Sequence, residues 1–130
     1  MSTEGILAVE LTKESVNGEK FFDFVRGSLI PEMLPFDGCN PRSIAVMDNC
    51  SIHHVEEVAD LFNSAGILLL YLPPYSPDFN PIELAFSYVK HYLKDHEDIM
   101  HIVPPTQLVH AAFSSITASM CNSWIVHCGY

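Results

Sequence analysis

Two short, continuously apolar segments constrain the fold of this chain more than any other feature. They are residues 43–47 and 67–72, and the residues between them, 55–65, have the apolar spacing of a helix. A strand that is apolar on both sides is typical of a parallel sheet covered on both faces. Strand, helix and strand with short connections predict a right-handed parallel crossover in an α/β fold. Gly66 stands where a glycine commonly ends a helix.

Other elements are predicted on either side of this crossover. Residues 5–11 have the composition of a further strand. Residues 19–34 have helical apolar spacing, with Asn17 as the predicted cap and a break near Pro31. A loop with four prolines, residues 73–81, leads to a helix that is predicted to run from Pro81 to about Lys94, capped by Asn80. One last helix is predicted at roughly residues 106–126.

Length and composition restrict the class of protein. At 130 residues and 48% hydrophobic, the chain is predicted to form a single domain over residues 1–130. No segment approaches the roughly 20 apolar residues of a membrane span, and the first residues lack the pattern of a signal peptide. The sequence therefore predicts an intracellular protein. The four cysteines fit no zinc pattern and are predicted to be reduced, partly buried thiols.

The net charge is −10, and only six residues are lysine or arginine. Contacts to nucleic acid phosphates require such residues. These 130 residues are therefore not expected to hold DNA without a separate basic region or bound cations.

Asp48 and Glu83 are the candidate catalytic and metal-binding residues. Asp48 directly follows the apolar segment 43–47, and Glu83 lies in the first turn after the proline-rich loop, with 34 residues between them (83 − 48 − 1). Ligands collect at the carboxyl ends of parallel strands, so the two carboxylates are predicted to converge there. Hard oxygen ligands favour Mg²⁺ or Mn²⁺. Two such ions about 4 Å apart activate a water or a 3′-hydroxyl and stabilise the leaving oxygen.

Each candidate also has a purely structural interpretation. Glu83 stands three residues after Asn80, which is the spacing of a capping box. Asp48, with Asn49, is in a position to cap a turn. His53 and His54 are either ligands or substrate contacts, or solvated loop histidines. The sequence leaves these alternatives open.

Two segments resemble one known family. Val46-Met-Asp-Asn-Cys-Ser-Ile-His-His54 and residues 70–83, Leu-Tyr-Leu-Pro-Pro-Tyr-Ser-Pro-Asp-Phe-Asn-Pro-Ile-Glu, resemble the second and third catalytic blocks of the mariner-like (Tc/mariner) DDE transposases. The aspartate–glutamate spacing is also similar, and the last seven residues resemble the tail of such domains. The resemblance implies an RNase H-like fold and cut-and-paste DNA transposition.

The same resemblance implies roles and partners. Asp48 would be the second metal-binding carboxylate and Glu83 the third, in a two-metal site for Mg²⁺ or Mn²⁺. Asn49 and His54 match recurrent positions near that site, and Asn80 is a further nearby candidate. The implied partner is DNA, as transposon ends bound by the full-length protein, with nuclear localisation if the source is eukaryotic.

One departure from the family pattern bears on activity. The family's first catalytic aspartate lies on the first strand, whereas residues 5–11 resemble the third strand. The nearest acids, Glu10 and Asp23, do not match the missing position. The chain is therefore expected to lack the first two strands of the fold and to be a partial domain.

Loss of those strands would leave the edge of residues 43–47 open, and open apolar edges favour aggregation or self-association. The 130 residues alone are therefore predicted to fold poorly and not to cleave DNA. Three hypotheses follow. The chain is part of a DDE transposase catalytic domain, a domesticated non-catalytic interaction module, or a metal-dependent nuclease completed by an acid from a second subunit.

Overall fold

The computed structural model describes residues 1–54 and 56–130. Val55, the predicted first residue of the middle helix, lies outside the described residues, and so does the side chain of His54. The chain divides into two compact units. One is Thr12–Pro77, and the other combines Met1–Leu11 with Asp78–Tyr130. Each unit has an apolar core of its own.

Within the described residues, helices dominate and the sheet is small. The helices and strands are α1 (Gly18–Phe24), α2 (Glu56–Ser64), α3 (Ile82–Asp95), α4 (Pro105–Ser114), α5 (Ala118–His127), β1 (Ile44–Met47) and β2 (Leu68–Tyr71). Short helical turns cover Val25–Leu29, Ile30–Glu32, Ser51–His54, Pro77–Phe79 and Glu97–Ile99. No helix of the described part is both long and apolar enough to cross a membrane. All four cysteines are free thiols, two exposed and two buried, as predicted.

The first unit is built on the predicted parallel pair. β1 and β2 run parallel, with Ile44 opposite Leu68 and Met47 opposite Tyr71. Ala45 and Met47 are buried, and they belong to one core with Val58 and Phe62 of α2. The sequence therefore predicted the strand, helix and strand of this unit correctly.

The prediction that these strands are buried on both faces is wrong. Ile44 is 44% exposed and Val46 is 40% exposed, although both are apolar. On β2, Leu68 is 38% exposed and Leu70 is 46% exposed. Side chains alternate between the two faces of a strand, so these four residues share one face. We call this set the open sheet face. An apolar sequence shows which faces are suited to packing, but not which of them a neighbouring element covers.

The strand predicted at residues 5–11 is also wrong. This segment forms no strand, and Gly5 makes only an isolated antiparallel bridge with Ser2. A strand requires a neighbour whose backbone groups complete its hydrogen bonds, and among the described residues no strand pairs with this segment. Ile6 packs instead against the core of the second unit.

The helix before β1 begins at Gly18, one residue earlier than predicted. The Asn17 side chain accepts a hydrogen bond from the Lys20 amide at 2.9 Å, which caps α1. After α1 the backbone continues through the helical turns Val25–Leu29 and Ile30–Glu32. It becomes extended at Met33. Pro31 lies near the start of the last of these turns, where a missing amide is tolerated, and the Met33 amide closes that turn on the Ile30 carbonyl at 3.0 Å.

Gly66 ends α2 as predicted. Its φ is +70°, in the left-handed region that favours glycine. The Gly66 amide donates to the Asn63 carbonyl at 3.0 Å, and the Ile67 amide donates to the Phe62 carbonyl at 2.9 Å. This pair of bonds is the Schellman motif. β2 begins two residues later, so the motif sets where that strand starts beside β1.

In the second unit, α3 begins one residue later than predicted. The Asn80 Oδ1 atom accepts a hydrogen bond from the Ile82 amide at 3.3 Å, so Asn80 satisfies a free amide at the start of the helix. The buried side of α3, with Ala85 and Val89, packs into a core with residues of α4 and α5.

The prediction of one last helix over residues 106–126 is wrong. α4 ends at Ser114, and α5 begins at Ala118. The Ser115 hydroxyl donates to the Ala112 carbonyl at 2.7 Å, and the Thr117 hydroxyl accepts from the Met120 amide at 3.2 Å. Serine and threonine side chains compete for backbone hydrogen bonds in this way, so they break the helix here and cap the next one.

Candidate active site

Asp48 follows β1 directly, at the carboxyl end of that strand. Its side chain is 48% exposed. The Oδ1 atom accepts a hydrogen bond from the Cys50 amide at 3.2 Å, so the carboxylate does cap a turn. All the contacts found for this carboxylate in the described part of the chain are made by Oδ1. The turn therefore leaves Oδ2 available for a ligand.

His53 is the second residue that contacts this carboxylate. Its Nδ1 atom lies 2.7 Å from Asp48 Oδ1 and 3.2 Å from the Asp48 carbonyl oxygen. Because an ionised carboxylate only accepts hydrogen bonds, Nδ1 carries the proton and donates it. The side chain of His53 is only 17% exposed. The interpretation of His53 as a solvated loop histidine is therefore wrong.

The position of His53 is fixed by two aromatic residues from different elements. The Phe21 ring of α1 lies against the imidazole, with ring centroids 4.4 Å apart. The Tyr71 hydroxyl, at the end of β2, donates to the His53 carbonyl at 2.6 Å. Burial raises the pKa of Tyr71, so the phenol stays a neutral donor at physiological pH. The turn that carries Asp48 is thus held by α1 and β2.

Glu83 is exposed in the first turn of α3. Within residues 1–54 and 56–130 its carboxylate has no hydrogen bond or ion pair, so the capping-box bond to the Asn80 amide is not formed. The side chain of Asn80 caps the helix instead. A negative charge here is favoured by the dipole of α3. Both oxygens of Glu83 are available for a ligand.

The other sequence candidates divide between the two units. Asn49 is exposed beside Asp48, and the backbone of His54 ends the turn Ser51–His54. Asn80 lies with Glu83 in the other unit. The predicted convergence of Asp48 and Glu83 therefore stays a prediction.

Each of the two carboxylates, in its own unit, offers donor atoms suited to a hard divalent cation. Oδ2 of Asp48 and both oxygens of Glu83 are anionic donors of the kind that Mg²⁺ and Mn²⁺ prefer. Among the described residues, no group of three or more His, Cys, Asp or Glu side chains is positioned to hold a metal ion. A metal bound by either carboxylate would need further donors, such as water or the substrate.

A parallel β-α-β unit with a carboxylate at the end of its first strand is typical of α/β proteins that bind a ligand at that edge. Residues 1–102 match the family described as DDE superfamily endonuclease. This match covers 102 of 130 residues, and the chain belongs to that family. The matched range includes Asp48, His53 and Glu83 and ends before α4. The combination of helices with a small parallel sheet is compatible with the α/β fold of this family. No curated protein matches the chain.

Sequence reasoning missed two contributors to this region. His53 and His54 have the same two interpretations from the residues alone, but the resemblance names only His54 as a nearby candidate, and nothing in the sequence indicates that His53 contacts the aspartate. Tyr71 was not a site candidate, because its hydroxyl contacts a backbone carbonyl 18 residues away. The available signal for Tyr71 was its position at the end of one predicted strand, next to the predicted strand that Asp48 directly follows.

Proposed function

We propose that the chain is part of the catalytic domain of a mariner-like DDE transposase with an RNase H-like fold. Its reaction would be metal-dependent DNA strand cleavage and transfer in cut-and-paste transposition. The main support is the family match over residues 1–102, which includes a strand-end Asp48 and a helix-start Glu83. Membership of an endonuclease family supports DNA as the substrate class.

In this proposal Asp48 and Glu83 bind Mg²⁺ or Mn²⁺ in a two-metal site. Ions held there would supply the chemistry that activates a water or a 3′-hydroxyl and stabilises the leaving oxygen. Asp48 contributes Oδ2, because Oδ1 is engaged by the Cys50 amide and by His53. Glu83 contributes a carboxylate that has no competing partner in the described part of the chain. Asn49, His54 and Asn80 would lie near the bound substrate.

The 130 residues are proposed to be inactive on their own. The family pattern includes a third carboxylate, and neither Glu10 nor Asp23 matches it. The net charge of −10 with six lysines and arginines also provides little attraction for DNA. Transposon ends would be bound by basic regions elsewhere in the active assembly, which would be nuclear in a eukaryote.

A domesticated interaction module is the second candidate function. The observation that favours it is the open sheet face, where Ile44, Val46, Leu68 and Leu70 are all exposed. Apolar surface of this kind is suited to a partner protein or to self-association. Such a module would not require Asp48 or Glu83.

The test is Mn²⁺ affinity, measured by the electron paramagnetic resonance signal of free Mn²⁺. Asp48→Ala and Glu83→Ala are each expected to weaken binding at least about tenfold, which corresponds to about 1.4 kcal/mol. The matched controls are Asp60→Ala and Glu97→Ala, because both remove an exposed carboxylate at other positions. They are expected to bind Mn²⁺ like the wild type.

Two results would contradict these proposals. Unchanged Mn²⁺ affinity in both Asp48→Ala and Glu83→Ala would refute the metal site and favour the interaction module. Mg²⁺-dependent nicking of supercoiled plasmid by the 130-residue chain, abolished by Asp48→Ala, would refute its inactivity.

A further inference from the structure

Within the described part of the chain, the Asp48 carboxylate makes its contacts through one of its two oxygens. Oδ1 lies 2.7 Å from His53 Nδ1 and also accepts the Cys50 amide. Oδ2 has no partner in the described part of the chain. A carboxylate that is 48% exposed and attached through two rotatable bonds would otherwise occupy several rotamers. The strong contact from His53 selects one of them.

We propose that His53 is a positioning residue, which holds Asp48 so that Oδ1 is engaged by the protein and Oδ2 faces the divalent cation. This inference rests on the proposed role of Asp48 as a metal ligand. Groups that hydrogen-bond to metal ligands fix the orientation of those ligands and contribute substantially to metal affinity. His53 would do this for a carboxylate rather than for a ligating histidine.

The surroundings of His53 suit this role. Its side chain is mostly buried, and the Phe21 ring limits rotation of the imidazole. Its backbone is held by the hydroxyl of Tyr71. A side chain that is already ordered loses little conformational entropy when it restrains a second one. Contacts from α1 and β2 therefore order His53, and His53 in turn restrains the half-exposed carboxylate of Asp48.

Direct metal ligation through Nδ1 does not fit this contact. At 2.7 Å from Asp48 Oδ1, Nδ1 donates a hydrogen bond, and a ring nitrogen that carries a proton has no lone pair to offer a cation. Nδ1 therefore acts on Asp48 and not on the cation.

The experiment compares two substitutions that differ in where an amide nitrogen is placed. The Nδ2 atom of asparagine occupies the place of His53 Nδ1, whereas the Nε2 atom of glutamine occupies the place of the other ring nitrogen. His53→Asn is therefore expected to keep the contact with Asp48, and His53→Gln is expected to lose it. His91→Gln, on the exposed side of α3, is the matched control for this change.

The first readout is the χ1 rotamer of Asp48, measured from three-bond couplings by NMR on the 130-residue chain without metal. The wild type, His53→Asn and His91→Gln are expected to show one rotamer. His53→Gln is expected to show couplings averaged over several rotamers while the rest of the amide spectrum stays folded. A single, unchanged rotamer in His53→Gln would overturn the proposal. If His53→Gln does not fold, averaged couplings in a folded His53→Asn would overturn it equally.

The second readout is Mn²⁺ affinity. His53→Gln is expected to weaken binding by about 10- to 100-fold, the range found for partners of metal ligands, and His53→Asn is expected to restore it. If Asp48→Ala leaves Mn²⁺ affinity unchanged, the proposed metal site fails, and the rotamer measurement still decides whether His53 orders Asp48. If Asp48→Ala weakens binding but His53→Gln does not, the proposed function stands and the positioning role is refuted.

Discussion

Gly66 provides the sharpest test of how this sequence sets its fold. Its φ is +70°, and a Cβ atom added there would lie 3.3 Å from the Cβ of Pro35. The left-handed conformation costs an L-residue about 1–2 kcal/mol. Gly→Ala also reduces the freedom of the unfolded chain, which returns about 0.4–1 kcal/mol. The contact with Pro35 adds to the cost, so we expect Gly66→Ala to lower the free energy of unfolding by about 1–2 kcal/mol.

Two other glycines of the same unit separate these contributions. Gly38 has a φ of +86° but no atom within 4 Å of an added Cβ, so Gly38→Ala isolates the backbone strain. Gly27 lies in the helical turn Val25–Leu29 and also has open space around it. Gly27→Ala is therefore expected to stabilise the unit by about 0.4–1 kcal/mol.

The assay is native-state hydrogen exchange at the amides of Leu68 and Leu72. These amides donate to the carbonyls of Ser43 and Met47, so their exchange reports the opening of the β1–β2 pair. Protection is expected to fall in the order Gly27→Ala, wild type, Gly38→Ala, Gly66→Ala. Protection in Gly66→Ala equal to that of the wild type, or above that of Gly38→Ala, would refute the reasoning.

Two further predictions concern single side chains. Thr117→Ala removes the cap of α5 and is expected to lower the free energy of unfolding by about 1 kcal/mol. The assay is urea denaturation followed by the fluorescence of Trp124. Thr106→Ala, which is exposed in α4, is the control, and equal losses of stability in the two variants would contradict the capping role of Thr117. Burial raises the pKa of Tyr71, so the unfolded chain loses this phenolic proton first. The contribution of this pKa shift to the free energy of unfolding is fully present below the usual tyrosine pKa of about 10, and it is lost as the pH rises through the raised pKa of folded Tyr71. Urea denaturation at pH 8.5 and 11 is therefore expected to show a smaller loss of stability in Tyr71→Phe than in the wild type, and equal losses would argue against a raised pKa of Tyr71.

Elements with local signals were predictable from the sequence. The cap at Asn17, the glycine end of α2 and the parallel pairing of two apolar segments all follow from short stretches of chain. The strand at residues 5–11 and the burial of both sheet faces were wrong, because each depends on a neighbour that the sequence of the element does not describe. The break at Ser115 and Thr117 had a local signal, which the apolar spacing of residues 106–126 outweighed.

The same contrast between local signals and features that depend on a neighbouring element holds for the candidate site. Asp48 and Glu83 were identified from their places after a strand and at the start of a helix, and their residue types carried the chemistry. The contact between Asp48 and His53 was not predicted, because it depends on how the turn Ser51–His54 orients the side chain of His53. The hydrogen bond from Tyr71 depends on the register of β2 beside β1.

The division of the chain into two units has a consequence for its synthesis. Met1–Leu11 belongs to the same unit as Asp78–Tyr130, so Met1–Leu11 is synthesised 66 residues (77 − 12 + 1) ahead of those partners. At about 5–20 residues per second, that interval lasts roughly 3–13 s. Thr12–Pro77 is complete within it and has its own core. During that time Ile6 lacks the later core residues that it packs against in the folded chain, and this nascent segment is where we expect a chaperone to bind.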